Sequence, residues 1–172
     1  RAHALYRPML VLVLLGALSK SAQFPFHFWL PNAMAAPTPA SAYLHSATMV
    51  KAGIFLLARL FPALSGTPEW AWLVGGAGLI TLVLGACIAL FQHDLKGLLA
   101  YSTVSHLGLI VLLFGIGTPL AAVAAVFHII NRAIFKASLF MAAGIIDHET
   151  GSRDMRRING LWRYMPYTAV LA

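Results

Sequence analysis

Seven ionisable side chains stand in nearly apolar surroundings: Lys20, His45, Lys51, His106, His128, Arg132 and Lys136. His128, Arg132 and Lys136 fall at i, i+4 and i+8. That spacing places them on one helical face, rising about 6 Å per step at ~1.5 Å per residue. A desolvated lysine can release its proton near neutral pH and histidine titrates there already, so such a row suits a hydrated proton relay. Arg132 is the exception, because a guanidinium does not titrate in the working range. An eighth cation, Lys96, lies close to the end of an apolar run, where its stem can also snorkel to the interface. The acids Glu69, Asp94, Asp147, Glu149 and Asp154 all fall at the ends of apolar runs or in one hydrophilic segment. Buried cations want counter-charges, and these are expected from polypeptide outside the chain. His45 and His106 lie on different runs without a Cys or carboxylate companion at ligand spacing, so neither a metal site nor a redox cofactor is expected.

Helices long enough to cross a membrane must hold these groups. About 20 mostly apolar residues make a span, and five stretches qualify, at about 8–30, 38–61, 69–91, 94–117 and 119–146, with a sixth opening near 158. Pro25, shortly after Lys20, removes the hydrogen bond that the Ser21 carbonyl would accept, and Pro31 repeats the interruption. A broken helix at membrane depth must be buried in protein or line a wet cavity, and such breaks mark ion sites in secondary transporters. The predicted fold is all-α, a polytopic transmembrane bundle with one discontinuous helix. The segment from Asp147 to Asn159 reads as its hydrophilic loop. Lys96, Arg153, Arg156, Arg157 and Arg163 fall on one side against Arg1, Arg7 and Arg59 on the other, which makes the first side the cytoplasmic one.

Composition agrees. Of 172 residues, 60% are hydrophobic and 10% charged, with a mean hydropathy of +0.80; a soluble domain is about a quarter charged. A water-soluble enzyme, a disulfide scaffold and a disordered tail are excluded. The net charge of +7 does not indicate nucleic acid, which needs basic residues clustered on a solvated face. Cys87 stands alone in an apolar run and reads as a small packing residue. The chain opens on Arg1 and closes inside a new apolar run, so a longer polypeptide is expected.

Three long motifs occur in order: GALSKSAQFPFHFWLPNAMAAPTPASAYLHSATMVKAG, DLKGLLAYSTVSHLG and FHIINRAIFKASLFMAAGIIDHETGSRD. Together they resemble the proton-antiporter domain shared by Mrp-type multisubunit Na⁺/H⁺ antiporters and the antiporter-like membrane subunits of respiratory complex I. FPFHFWLP, VKAG and GIIDHETG look more like the large A subunit of the Mrp group. The resemblance implies that Lys20 is the lysine of a broken helix at the centre of one proton half-channel, His45 the histidine of the next helix, and Lys96 the lysine of the DLK motif. It implies that His128 and Lys136 continue the path toward a second half-channel, with Lys51, His106 and Arg132 in secondary or electrostatic roles. Arg132 stands where the family often has a histidine. The implied function is that of an ion-translocating subunit of a Na⁺/proton antiporter in the cell's inner (plasma) membrane, a transporter and not an enzyme. Its partners would be other antiporter subunits, Na⁺, H⁺ and the bilayer. The alternative is a proton-pumping, non-redox subunit of NADH:quinone oxidoreductase. A third reading, a scaffold whose cations bind anionic lipid, would place its cations at span ends, where Lys20 and the 128–136 row are not.

Overall fold

The computed structural model describes residues 5–41, 43 and 48–171. Helix α1 (Tyr6–Lys20) stops at Lys20. Ala22 then adopts φ 50°, the left-handed region that alanine seldom enters. The predicted interruption is present but opens at Ser21–Ala22, before Pro25 is reached. Across it the Phe24 amide donates to the Thr81 hydroxyl at 2.9 Å, so a neighbouring helix supplies the acceptor that α1 no longer offers. From Phe26 the chain advances in short pieces: a 3₁₀ turn (Phe26–Phe28), α2 (Trp29–Asn32), a second 3₁₀ turn (Ala33–Ala35) and α3 (Thr38–Ser41). The stretch 8–30 is therefore one helix followed by a string of turns.

Helix α4 (Lys51–Leu64) runs antiparallel to α1. The Tyr6 hydroxyl donates to the Leu64 carbonyl at 2.9 Å, and Arg7 pairs with Glu69 at 2.9 Å. Pro62, read from sequence as lying just beyond the second stretch, sits inside the end of α4. A short α5 (Pro68–Trp70), a π turn (Ala71–Gly75) and α6 (Gly76–Leu90) form one continuous rod of 23 residues. With α7 (Leu95–Ile116) and α8 (Pro119–Thr150) it makes three helices long and apolar enough to cross a membrane. Their starts are set locally: the side chains of Thr67, Asp94 and Thr118 accept from the amides of Trp70, Lys96 and Ala121. Gly117 and Gly151, at φ 78° and 64°, terminate α7 and α8.

Close backbone contact joins α6 to α7. A Cβ on Gly78 would overlap the backbone of Leu112, and one on Gly108 the backbone of Leu82. Small residues permit this approach, and dispersion then holds apolar helices together without a hydrophobic driving force. Helix α8, at 32 residues, is roughly 48 Å long at ~1.5 Å per residue, well beyond the ~30 Å hydrocarbon core. Residues Asp147 to Thr150, read from sequence as the start of a loop, complete this helix instead. Its polarity is inverted relative to a soluble helix. Phe127, Ile130, Ile134 and Met141 face outward, while Arg132 and Lys136 are buried at 0% and 1% exposure. Thr38 of α3 fills the space above Gly144.

Beyond Gly151 the chain returns to the base of α7. The Leu95 amide donates to the Arg153 carbonyl at 3.0 Å and the Met155 amide to the His93 carbonyl at 2.9 Å. Two short helices follow, α9 (Leu161–Tyr164) and α10 (Pro166–Leu171).

Gly108→Leu should force α6 and α7 apart and destabilise the bundle by about 1–3 kcal/mol or more. Thermal unfolding of the purified full-length assembly measures this, with Gly16→Leu as a control at a glycine that has open space around it.

Candidate functional site

Helices α7 and α8 run antiparallel, which brings Ser102 and His106 of the first against His128 and Lys136 of the second. The imidazoles of His106 and His128 meet with Nδ1 to Nε2 at 3.2 Å, so one ring donates while the other accepts. The Lys136 ammonium donates to the Ser102 hydroxyl. Phe135 closes one side, its ring centre 5.7 Å from that of His106. Arg132 sits between His128 and Lys136 on α8, and its Nε and both terminal nitrogens are buried without a hydrogen-bond partner among the described residues. Lys51, in the first turn of α4, lies near enough to be repelled by Arg132. His106 feels repulsion from Lys136, Arg132 and His128 together. Among the described residues this cluster contains no carboxylate. It can pass protons between nitrogens, and its one permanent charge is that of Arg132.

A second site lies nearer the membrane edge. Lys96, 5% exposed, pairs with Asp147 at 3.0 Å. Arg153 approaches the other Asp147 oxygen at 3.9 Å. The expectation that every buried cation finds its counter-charge outside the chain is thus corrected for Lys96. Reading Asp147 into a loop conceals this pairing. Once α8 is extended, its position eleven residues after Lys136 is about three turns at ~3.6 residues per turn, hence on the same face. A cleft of about 510 Å³, lined by Thr38, Lys96, Gly144, Asp147 and Glu149 among others, opens over this pair. A mostly apolar groove of about 410 Å³ reaches from Leu95 and Leu99 up to Ser102, His106 and Lys136.

The remaining sequence-derived residues are placed otherwise than expected, or lie outside the described residues. Lys20 is the last residue of α1 and is exposed, which corrects its placement in mid-helix and its description as buried. A cation at a helix carboxyl end faces the negative pole of the macrodipole. Lys51 likewise opens α4 where a mid-span position was expected. Pro25 is exposed beyond the break. His45 lies outside the described residues. Two further groups, to which the sequence reading assigns no role, are Gln23 and His27. Both are buried beside the break, with Gln23 Oε1 and His27 Nδ1 lacking protein partners among the described residues. Buried polar atoms of this kind are usually met by ordered water, and their signal in the sequence is the polar pair flanking Pro25.

Residues 5–172 match the family model described as NADH:quinone oxidoreductase/Mrp antiporter, transmembrane. The chain is 73% identical over its whole length to a protein of Rhizobium meliloti named as the probable A/B subunit of a K⁺/H⁺ antiporter, of which it covers 17%. It is 58% identical to the A subunit of the Na⁺/H⁺ antiporter of Alkalihalophilus pseudofirmus, with 95% of the chain aligned to 22% of that protein. The chain thus spans about a fifth of the length of these curated relatives. Among solved structures, the Mrp complex from Dietzia sp. superimposes with a TM-score of 0.88 at 55% identity, covering 93% of this chain and 18% of that one. The membrane-bound sulfane sulfur reductase, an archaeal respiratory membrane complex, gives 0.84 at 33% identity, covering 92% and 33%.

Removing the Asp147 carboxylate leaves the Lys96 ammonium buried and unpaired. Asp147→Asn should cost about 1–3 kcal/mol, less than for a fully enclosed pair because Asp147 is partly open to solvent. A second change, Lys96→Met, should recover most of that loss. Thermal unfolding of the two single variants and the double variant decides it, and additive losses would mean that the two groups do not interact. In the hydrophilic segment, side-chain and then backbone hydrogen bonds from Arg156 hold the Asp154 carboxyl down to about 2. Stability from a depressed carboxyl pKa is complete above the unfolded value near ~3.9 and is lost as pH falls through the folded value. Tryptic cleavage at Arg156 and Arg157 should therefore be constant through the neutral range and rise in Asp154→Asn.

Proposed function

Because the chain belongs to the NADH:quinone oxidoreductase/Mrp antiporter transmembrane family, we propose that it is the ion-translocating segment of one subunit in a multisubunit Na⁺/proton antiporter of the plasma membrane. Protons move along Lys20, His45, Lys96, His128 and Lys136, coupled to exchange of the metal cation. The observation that carries this reading is α8, a helix that turns its apolar side outward and encloses Arg132 and Lys136. Charge at mid-span costs ~2.5–3.5 kcal/mol per group on insertion scales, and side chains held there mark ion and proton pathways. The His106–His128 contact supplies a titratable bridge between helices where the row from His128 to Lys136 is interrupted by Arg132. Lys20 stands exposed at the end of a broken helix, and Gln23 and His27 beyond the break carry buried polar atoms without partners among the described residues, which suits a hydrated entry.

Relatives named for the A subunit of Na⁺/H⁺ antiporters are 53–58% identical over nearly all of the chain, which favours sodium and the antiporter class. The 73% identical relative is named for K⁺, so the cation class is monovalent and potassium is the competing ion. The likeness to an archaeal respiratory complex at 33% identity supports the second reading, a redox-driven proton-pumping subunit. On that reading the same side chains carry protons without a coupled metal cation.

In sealed vesicles holding the full assembly, Lys20→Ala and Lys136→Ala should each lower cation-driven proton movement by an order of magnitude or more. Lys20→Arg should fail as well, since a guanidinium keeps its proton. Wild-type rates in assembled Lys20→Ala complexes would remove that lysine from the path. Proton movement that ignores both sodium and potassium gradients would favour the respiratory reading.

A further inference from the structure

We propose that Arg132 is a cation-exclusion element: its fixed charge keeps the transported monovalent metal ion out of the proton route between α4, α7 and α8, so that the two ions cannot share one path. This deepens the antiporter reading and rests on it. An exchanger that let sodium or potassium run along its proton relay would dissipate the gradient it couples to, so something along the relay must tell a metal ion from a proton.

The cluster is built to make that distinction. Its charged and titratable members are Lys51, His106, His128, Arg132 and Lys136, and the only side-chain oxygen facing them from α7 among the described contacts is the Ser102 hydroxyl, already engaged by Lys136. Sodium and potassium are hard cations that need several oxygen ligands to replace their water. Here they would meet nitrogen, positive charge and, among the described residues, no carboxylate. A proton needs no ligand shell and moves between imidazole and amine nitrogens directly or through one water. Of the five groups, four can shed their charge as a proton passes, whereas Arg132 cannot. Its guanidinium is fully enclosed, with all three nitrogens unpartnered among the described residues, so no acid among those residues cancels its field. A positive side chain used as an electrostatic barrier in a narrow pathway is an established device for selecting among permeating species.

The test uses the complete complex in proteoliposomes, first measuring wild-type proton/cation exchange, which examines the antiporter reading by itself. Radiolabelled sodium and potassium entry is then followed without a proton gradient. Arg132→Gln should raise that uncoupled entry by about a hundredfold, as expected for removing one charge at about 6 Å in a medium of effective dielectric ~20. Arg132→Lys, whose ammonium carries charge except when it gives up its proton, should leak less than Arg132→Gln. If Arg132→Gln does not assemble, His106→Glu neutralises the same field with Arg132 in place and should produce the same leak. Tight, assembled Arg132→Gln or His106→Glu complexes would overturn the proposal. Equal leaks in the Gln and Lys variants would overturn it too, since the guanidinium's shape and not its charge would then be sealing the path.

Discussion

A positive charge in the middle of α8, with no acid beside it among the described residues, is the constraint around which the other helices are arranged. Arg132 is completely enclosed and finds no acceptor among the described residues. Such a group persists only where the surrounding helices cannot separate to let water or lipid reach it. The α6–α7 contact supplies that rigidity. Gly78 and Gly108 bring the two backbones so close that no side chain fits between them, and α7 then presents one unbroken wall to α8. Trp70 and Phe114 add to it through a 2.9 Å hydrogen bond from the indole nitrogen to the Phe114 carbonyl. The dispersion gained along this interface offsets part of the cost of the enclosed charge, which hydrophobic burial cannot do where the outside is also hydrocarbon.

The inverted polarity of α8 also explains which parts of the site are legible in the sequence. His128, Arg132 and Lys136 at four-residue spacing identify a polar stripe on an apolar helix whatever the helix touches, because the pattern is purely local. That His106 meets His128, and Ser102 meets Lys136, depends on the register of α7 against α8. Register is set by the short turn at Gly117 and by the glycine contacts on the far side of α7, neither of which is encoded in the titratable residues. Asp147 is illegible for a different reason. A cluster of polar residues reads as the end of a helix, whereas DHET continues it until Gly151 reaches φ 64° and stops it. The helix end is set by backbone conformation and not by polarity.

The first third of the chain shows the opposite weakness. Proline is expected to break the span that holds Lys20, yet α1 has already ended when Pro25 arrives. The turn is made by Ala22 in a left-handed conformation, which is tolerable because Thr81 receives the Phe24 amide from another helix. That compensation is tertiary and leaves no mark on the local sequence. Its consequence is that Lys20 is an exposed helix terminus, followed in the chain by the buried Gln23 and His27.

Two levels of charge result, and they are treated differently. At the membrane edge Lys96 is neutralised by Asp147, which Arg153 also approaches from the segment that bridges back to His93 and Leu95. In mid-span the described cations are left without an acid. The two levels are separated on α8 by roughly 16 Å, at ~1.5 Å per residue from Lys136 to Asp147, and the groove between them is mostly apolar. A low-dielectric path of that length would transmit the field of an unpaired Lys96 well beyond its own turn. Pairing Lys96 with Asp147 collapses its monopole to a short dipole whose influence falls off far faster. The field at His106 is then set by Lys136, Arg132 and His128, and that at His128 and Lys136 by Arg132.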